Sequence, residues 1–176
     1  MEVFERHEKF LKNPFGIQNK VAESAWNPSP SDTFNWQLSG TLNTHNPAHV
    51  YDVDLFETST DTISSLHSHG KKVICYFSAG TFEHDGHGKS IRPDHPDFPD
   101  FVKGNTLKDW PHEKWLDIRK SEVKTVITNR LKLAQTKGCD GVEPDNVDGY
   151  SNNNGFHLLA SDQLAYNKWI ASGILS

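Results

Sequence analysis

The stretch Lys72-Val73-Ile74-Cys75-Tyr76-Phe77 carries an unbroken apolar run in a chain of 176 residues of which only 35% are hydrophobic. A run of that kind is what a parallel strand covered on both faces requires. Just upstream, Ile63, Leu66 and His67 fall at helical spacing after a Ser/Thr-rich start, and Gly70 supplies the stop. Further upstream, Val50 to Phe56 alternates apolar and acidic residues, with Val53 and Leu55 sharing a face, and Phe34 to Gly40 reads as a strand closed by glycine. Downstream, Val123, Val126, Ile127, Leu131 and Ala134 form a helical stripe that begins near Ser121 and ends at Gly138. A last helix is expected from Ser161, as its cap, through Leu164, Ala165 and Trp169. Residues 1–33 are polar, charged and proline-punctuated and read as an extension; residues 34–176 read as one domain.

Strand–helix–strand repetition with apolar strands points to an α/β fold with a parallel sheet. A doubly wound sheet and a (β/α)8 TIM barrel both fit. No glycine-rich phosphate loop follows any strand, which removes the main signature of a nucleotide-binding doubly wound fold. Acids and amides gathered after strand ends favour the barrel, whose sites lie on that rim. Ala79 to Lys114 breaks the rhythm with several Gly and Pro residues and no sustained period. It reads as a long substrate-contacting loop with a short helix near Phe98–Val102.

The segment Cys139 to Tyr150 runs as a short strand into Asp140, Glu143, Asp145, Asn146 and Asp148. Glu143 and Asp145 are two apart and share a strand face. Carboxylates crowded in this way repel one another, and such crowding is tolerated mainly where chemistry needs it, as in sugar hydrolysis, metal binding or proton transfer. Five Trp, ten Phe and four Tyr suit a carbohydrate cleft lined by stacking rings as well as a packed core. A net charge of −5 argues against nucleic acid as a partner. No run approaches a membrane span, and Met1 to Lys9 lacks a signal peptide's apolar stretch, so the expectation is a cytosolic chain or export by another route. Cys75 and Cys139 both fall in predicted strands and are expected as two buried thiols rather than a bridge. Glu83-His84-Asp85-Gly86-His87-Gly88 has metal-ligand residue types but no zinc or calcium spacing, and reads as a flexible polar loop. His67-Ser68-His69 reads as helix-end surface. No metal or other cofactor is expected.

Seven motifs in order carry a resemblance: Trp36 to Gly40, Val50 to Asp54, Val73 to Gly80, Arg92-Pro93-Asp94, Trp115 to Arg119, Gly138 to Tyr150 and Asp162 to Asn167. Together they resemble glycoside hydrolase family 114, the endo-α-1,4-polygalactosaminidases, some of whose members carry the label α-galactosidase. The resemblance implies a (β/α)8 barrel, of which this chain holds about the first four βα units. It implies an α-1,4-linked galactosamine-rich polysaccharide as substrate, and secretion for most members. Asp145 matches the catalytic carboxylate of the fourth strand, Asp54 the second-strand aspartate and Tyr76 the tyrosine ending the third. The second catalytic carboxylate is expected on a later strand, beyond Ser176.

Glycoside hydrolysis usually takes two carboxyl groups, one to protonate the leaving oxygen and one to attack or to activate water. Asp145 is the expected nucleophile or base, and Glu143 the only local candidate for the acid or an orienting group. Candidate substrate contacts are Trp36, Asp54, Tyr76, Arg92, Asp94, Trp115, Asn146 and Asp148, with Trp110 a further stacking ring. Asp54 could instead pair with Arg92 or Arg119, and Asp117 with Arg119 reads as an internal salt bridge. An acidic cleft suits a polycationic polymer. The alternative is a non-catalytic remnant, or a carbohydrate-binding or structural protein on the same fold.

Overall fold

The computed structural model describes residues 26–94 and 98–174. Residues 1–25 of the expected extension, and His95 to Asp97 of the expected long loop, lie outside the described residues. Strands β1 (Phe34–Gln37), β2 (Val50–Asp54), β3 (Lys72–Ser78) and β7 (Gly141–Asp145) form one sheet in the order β1-β2-β3-β7, and every pairing is parallel. Helices α1 (Thr60–Ser68), α2 (Ser121–Lys137) and α3 (Ala160–Ile174) complete the α/β pattern.

The apolar run of β3 divides by parity. Val73, Cys75 and Phe77 are fully buried, while Ile74 and Tyr76 are only half-buried on the opposite face. The core lies on the first face, where Tyr51 and Val53 of β2, and Leu55 just past it, join them against Ile63 and Leu66 of α1 and Val123, Val126 and Ile127 of α2. The second face carries Asp52, Asp54 and Tyr76 beside Ile74. Ser59 caps α1 by accepting from the Thr62 N–H, and Gly138 ends α2 in the left-handed region at φ 85°. At α3 the expected cap is corrected: Ser161 sits inside the first turn, and Asp162 reaches back to accept from the Leu159 N–H at 2.9 Å.

The stretch from Ala79 to Lys114 is not a structureless loop. It holds β4 (Thr81–Glu83), β5 (Lys103–Thr106) and, running just past it, β6 (Glu113–Leu116), an antiparallel sheet in the order β4-β6-β5. The short helix expected near Phe98–Val102 is a 3₁₀ turn over Asp100–Val102. These strands are only three or four residues long, too short to show a readable period.

Two further expectations are overturned. Cys75 and Cys139 are joined in a disulfide, with their Cα atoms 6.0 Å apart. The helix between them brings the second cysteine back beside β3, which spacing alone does not reveal. The bridge closes a loop of sequence separation 64, so its reduction is expected to lower stability by about 3 kcal/mol. Thermal unfolding with and without a phosphine reductant checks this, and coincident curves would contradict it. His67 is likewise not mere surface: its Nε2 meets Asp140 Oδ2 at 2.7 Å. Asp140 also accepts from Lys72 Nζ at 2.7 Å and the Val73 N–H at 2.9 Å. Burial pushes its carboxyl up, but these three donors outweigh that and hold it below the usual range. The first acid of the cluster therefore clamps α1, β3 and the entry to β7 together. Among the described residues no helix is long and apolar enough to cross a membrane.

Candidate active site

Strand register assembles the site. Trp36 lies beside Asp52 and Asp52 beside Ile74; Asp54 lies beside Tyr76, Tyr76 beside Glu143, and Ser78 beside Asp145. Period two puts Trp36, Asp52, Asp54, Tyr76, Glu143 and Asp145 on the face opposite the core. Asp145 ends β7 and is exposed there. Tyr76 Oη donates to its Oδ2 at 2.8 Å, and the Asn146 N–H donates to its Oδ1 at 2.7 Å. Burial and the neighbouring Asp145 carboxylate push the Tyr76 phenol well above its ordinary value, so it stays a donor. An exposed carboxylate with both oxygens aimed by donors is poised to meet a ligand.

The turn beneath Asp145 is built by close approach. Asn146 adopts φ 59°, and its Nδ2 donates to Ser78 Oγ at 2.9 Å. A Cβ on Gly80 would fall 1.9 Å from the Asn146 carbonyl oxygen, so only glycine fits there. The Ala79 N–H donates to the Asp145 carbonyl at 2.8 Å, and Tyr166 Oη of α3 donates to the Ala79 carbonyl at 2.6 Å.

Arg92 lies at the centre of a buried ion network. Its Nε and Nη2 donate to the two oxygens of Glu83 at 2.8 and 2.6 Å, and its Nη1 donates to Asp54 Oδ2 at 3.0 Å. Burial alone would pull the guanidinium pKa down, but the Glu83 and Asp54 carboxylates raise it above its ordinary value. Asp54 Oδ1 is taken by the Phe56 and Glu57 N–H groups, at 2.8 and 3.0 Å. Asp54 thus takes the Arg92 pairing of the two readings left open. Asp94 is committed to Arg130, whose Nε donates to it at 2.8 Å and whose Nη1 donates to the Ser78 carbonyl at 2.7 Å. Both guanidinium carbons lie 5.2 Å from the centre of the Phe56 ring. Asp117 and Arg119 pair as expected, at 2.7 Å.

Asp52 and Glu143 meet carboxyl to carboxyl, and neither Asp52 Oδ1 nor Glu143 Oε2 finds a donor among the other described residues. Such a contact is a hydrogen bond only if one group carries a proton. Burial first, and Glu143 second, push Asp52 up to about 8. The folded chain therefore keeps a proton here that the unfolded chain loses near the ordinary carboxyl range. This makes stability fall as pH rises from that range toward 8. Asp52→Asn, which donates to Glu143 at any pH, is expected to match the parent at pH 4 and exceed it by on the order of 3 kcal/mol at pH 8–9. Urea unfolding across that range tests it, and pH profiles that stay parallel would sink the shared proton.

Beyond Asp145 opens a cleft of about 470 Å³, lined in part by Trp110, Trp115, Asn146 and Asp148. Trp115 is 6% exposed and packs against Gly149, whereas Trp110 is 64% exposed. Trp36 is also exposed, on β1. A hollow of about 500 Å³ between α2, α3 and the start of β7 has Asp140 as its only carboxylate, already bound to Lys72 and His67. The residue-level reading missed Glu83, Ser78, Thr81 and Glu113. Thr81 Oγ1 donates to Glu113 Oε2 at 2.6 Å. Burial pushes Glu113 up, against the Thr81 hydroxyl and with help from the Glu83 and Asp145 carboxylates. Ser78 lay within the Val73 to Gly80 motif and Glu83 within the segment read as a polar loop, while Thr81 and Glu113 stood in the Gly- and Pro-punctuated stretch without a pattern of their own. Among the described residues no group of three or more His, Cys, Asp or Glu is placed to hold a metal ion.

Comparison with known proteins gives this geometry a context. The model of glycoside-hydrolase family GH114 matches residues 17–175. The solved structure of Aspergillus fumigatus Ega3 in complex with galactosamine superposes with a TM-score of 0.80 at 41% identity, covering 89% of this chain and 60% of that one. The glycoside hydrolase domain of PelA from Pseudomonas aeruginosa shares the fold, with a TM-score of 0.54 at 15% identity over 82% of this chain and 54% of that one. Eubacterium rectale Amy13B does so at 0.51 and 14%, over 73% of this chain and 35% of that one. No curated protein sequence matches the chain significantly. The chain thus spans about 60% of the Ega3 chain, and on the strength of the family match and that identity it belongs to glycoside hydrolase family 114.

Proposed function

We propose that this chain forms part of a (β/α)8-barrel glycoside hydrolase that cleaves α-1,4-linked galactosamine-rich polysaccharide. The observation that carries the proposal is Asp145: exposed at the carboxyl end of β7, with one oxygen held by Tyr76 and the other by the Asn146 N–H. Barrel enzymes place their chemistry at that end of the strands. Asp145 serves as nucleophile or as the base that activates water. Glu143, committed to Asp52, positions its neighbours rather than reacting. The second carboxyl group comes from another strand of the barrel, and its distance from Asp145 sets the outcome: about 5–5.5 Å for retention, about 6.5–9.5 Å for inversion. Arg92 holds Glu83 and Asp54 in place behind the site.

The substrate class draws support from the galactosamine bound to Ega3 and from the acidic face itself, which attracts an ammonium-bearing polymer. The test is release of new reducing ends when the whole barrel, this chain together with the strand that brings the second carboxyl group, is incubated with partly deacetylated, α-linked galactosamine polymer. Internal cleavage, read as a fall in polymer size ahead of monosaccharide release, is the expected result. An intact polymer under conditions where that whole barrel is folded overturns the activity.

A further inference from the structure

A chain of side-chain hydrogen bonds joins the turn that presents Asp145 to Glu113 of β6, and the protons available fix its direction. Thr81 Oγ1 gives its one proton to Glu113 Oε2 at 2.6 Å. The 2.5 Å contact between Ser78 Oγ and Thr81 Oγ1 must then take its proton from Ser78. Ser78 Oγ is left as an acceptor, and it receives the Asn146 Nδ2 amide at 2.9 Å and the Thr81 N–H at 3.2 Å. Both of its lone pairs are thereby filled. Donation runs from Asn146 to Ser78 to Thr81 to Glu113, and so crosses from the end of β7 through β3 and β4 to β6. Ser78 and Thr81 are each 1% exposed, which leaves water little room to replace a link. At the other end, Asn146 carries the backbone N–H that donates to Asp145 Oδ1 at 2.7 Å.

We infer that Glu113 is a positioning residue for Asp145, acting through Thr81, Ser78 and Asn146 while it is ionised. This deepens the hydrolase proposal: its bearing on catalysis rests on that reading, whereas the hydrogen-bond coupling does not. An ionised acceptor makes the last bond of the chain a strong one. A protonated Glu113 has two arrangements. With the proton away from Thr81 it offers only a neutral carbonyl oxygen, a weaker acceptor. With the proton on Oε2 it donates to Thr81 and turns the Thr81 proton toward Ser78. Ser78 Oγ then accepts twice from Thr81, and its own proton meets the Asn146 amide, donor against donor. Asn146 must turn that amide or release it, and its φ of 59° loses a brace. Four groups face Glu113: its register partner Glu83 on β4, Tyr76 of β3, Asp145 of β7, and Arg92. Burial, with the Glu83 and Asp145 carboxylates, raises its protonation above the ordinary carboxyl range, against the Thr81 hydroxyl and Arg92. The brace therefore weakens as pH falls toward that range.

Amide resonances of the whole 176-residue chain, followed by NMR against pH, test the coupling without turnover. The backbone and side-chain N–H signals of Asn146 are expected to move with the midpoint at which the Glu113 carboxyl carbon titrates. Glu113→Gln, whose amide oxygen still accepts from Thr81, should abolish that transition. Thr81→Val should leave Glu113 titrating but erase its echo at Asn146, and Thr81→Ser, which keeps the hydroxyl, should preserve the echo. Ser78→Ala cuts the next link and serves the same purpose if Thr81→Val does not fold. In the whole barrel, Thr81→Val is expected to lower kcat about tenfold at unchanged KM, with Thr81→Ser keeping the parent rate. Asn146 signals that ignore Glu113, or that still follow it in Thr81→Val or Ser78→Ala, overturn the coupling. A kcat that Thr81→Val leaves unchanged overturns the positioning role. A folded parent barrel without activity would instead overturn the hydrolase reading, and the amide titration would still decide the coupling.

Discussion

Asp145→Asn is expected to slow cleavage of galactosamine polymer by on the order of 10³-fold or more, with a Tm within about 2 °C of the parent. The side chain is exposed, so the change removes little packing. It removes instead the charge that would attack the anomeric carbon or take a proton from water. The amide is nearly isosteric but has a single acceptor oxygen. It can accept from Tyr76 or from the Asn146 N–H, not from both as the two carboxylate oxygens do. Release of reducing ends is measured for parent and variant side by side, and folding is checked by circular dichroism. Equal rates would take Asp145 out of the reaction. A slow variant with a large loss of Tm would assign it to the fold instead.

Arg92→Met should lower stability by about 3–5 kcal/mol, or Tm by roughly 10 °C. Methionine replaces most of the apolar stem, so the loss reports the missing guanidinium, with its two ion pairs and its place over the Phe56 ring. Its two carboxylate partners are nearly inaccessible, with Asp54 at 4% and Glu83 at 9%. Each would be left buried without its cation, the situation in which a broken ion pair is most damaging. Asp54 retains the Phe56 and Glu57 N–H donors, whereas Glu83 loses a two-pronged contact. Glu83 therefore bears most of the deficit, and the double change Arg92→Met with Glu83→Gln should recover part of it. A single-variant loss below about 1 kcal/mol would show that the network adds little to stability.

The elements most legible in the sequence were those whose pattern repeats. Lys72 to Phe77 recurs within β3, which runs one residue further to Ser78, and the stripe from Val123 to Ala134, closed by Gly138, recurs within α2. Burial against helices imposes periodicity, and periodicity survives reading one residue at a time. The acidic end of β7 was equally visible, because its acids lie close together along the chain. The second sheet was hidden: Lys103–Thr106 and Thr81–Glu83 each gain their pairing from Glu113–Leu116 between them and have no pattern of their own. The same reason concealed the Cys75–Cys139 bridge, the His67–Asp140 contact and the Arg130 guanidinium that takes up Asp94. Each joins residues remote in sequence, and identity alone does not say which acid meets which base. Glu83 was passed over as part of a polar loop, although its partner Arg92 was already among the candidates.

The contact between Gly80 and the Asn146 carbonyl reaches into how this chain can change over generations. A side chain at 80 would push away the residue that follows Asp145, and Asn146 has little room to yield while its amide is held by Ser78. A lineage that substitutes position 80 must therefore acquire a compensating change around 146 or lose the turn that presents Asp145. Two codons far apart in the gene are in this way inherited as one unit, joined by a few ångströms of backbone.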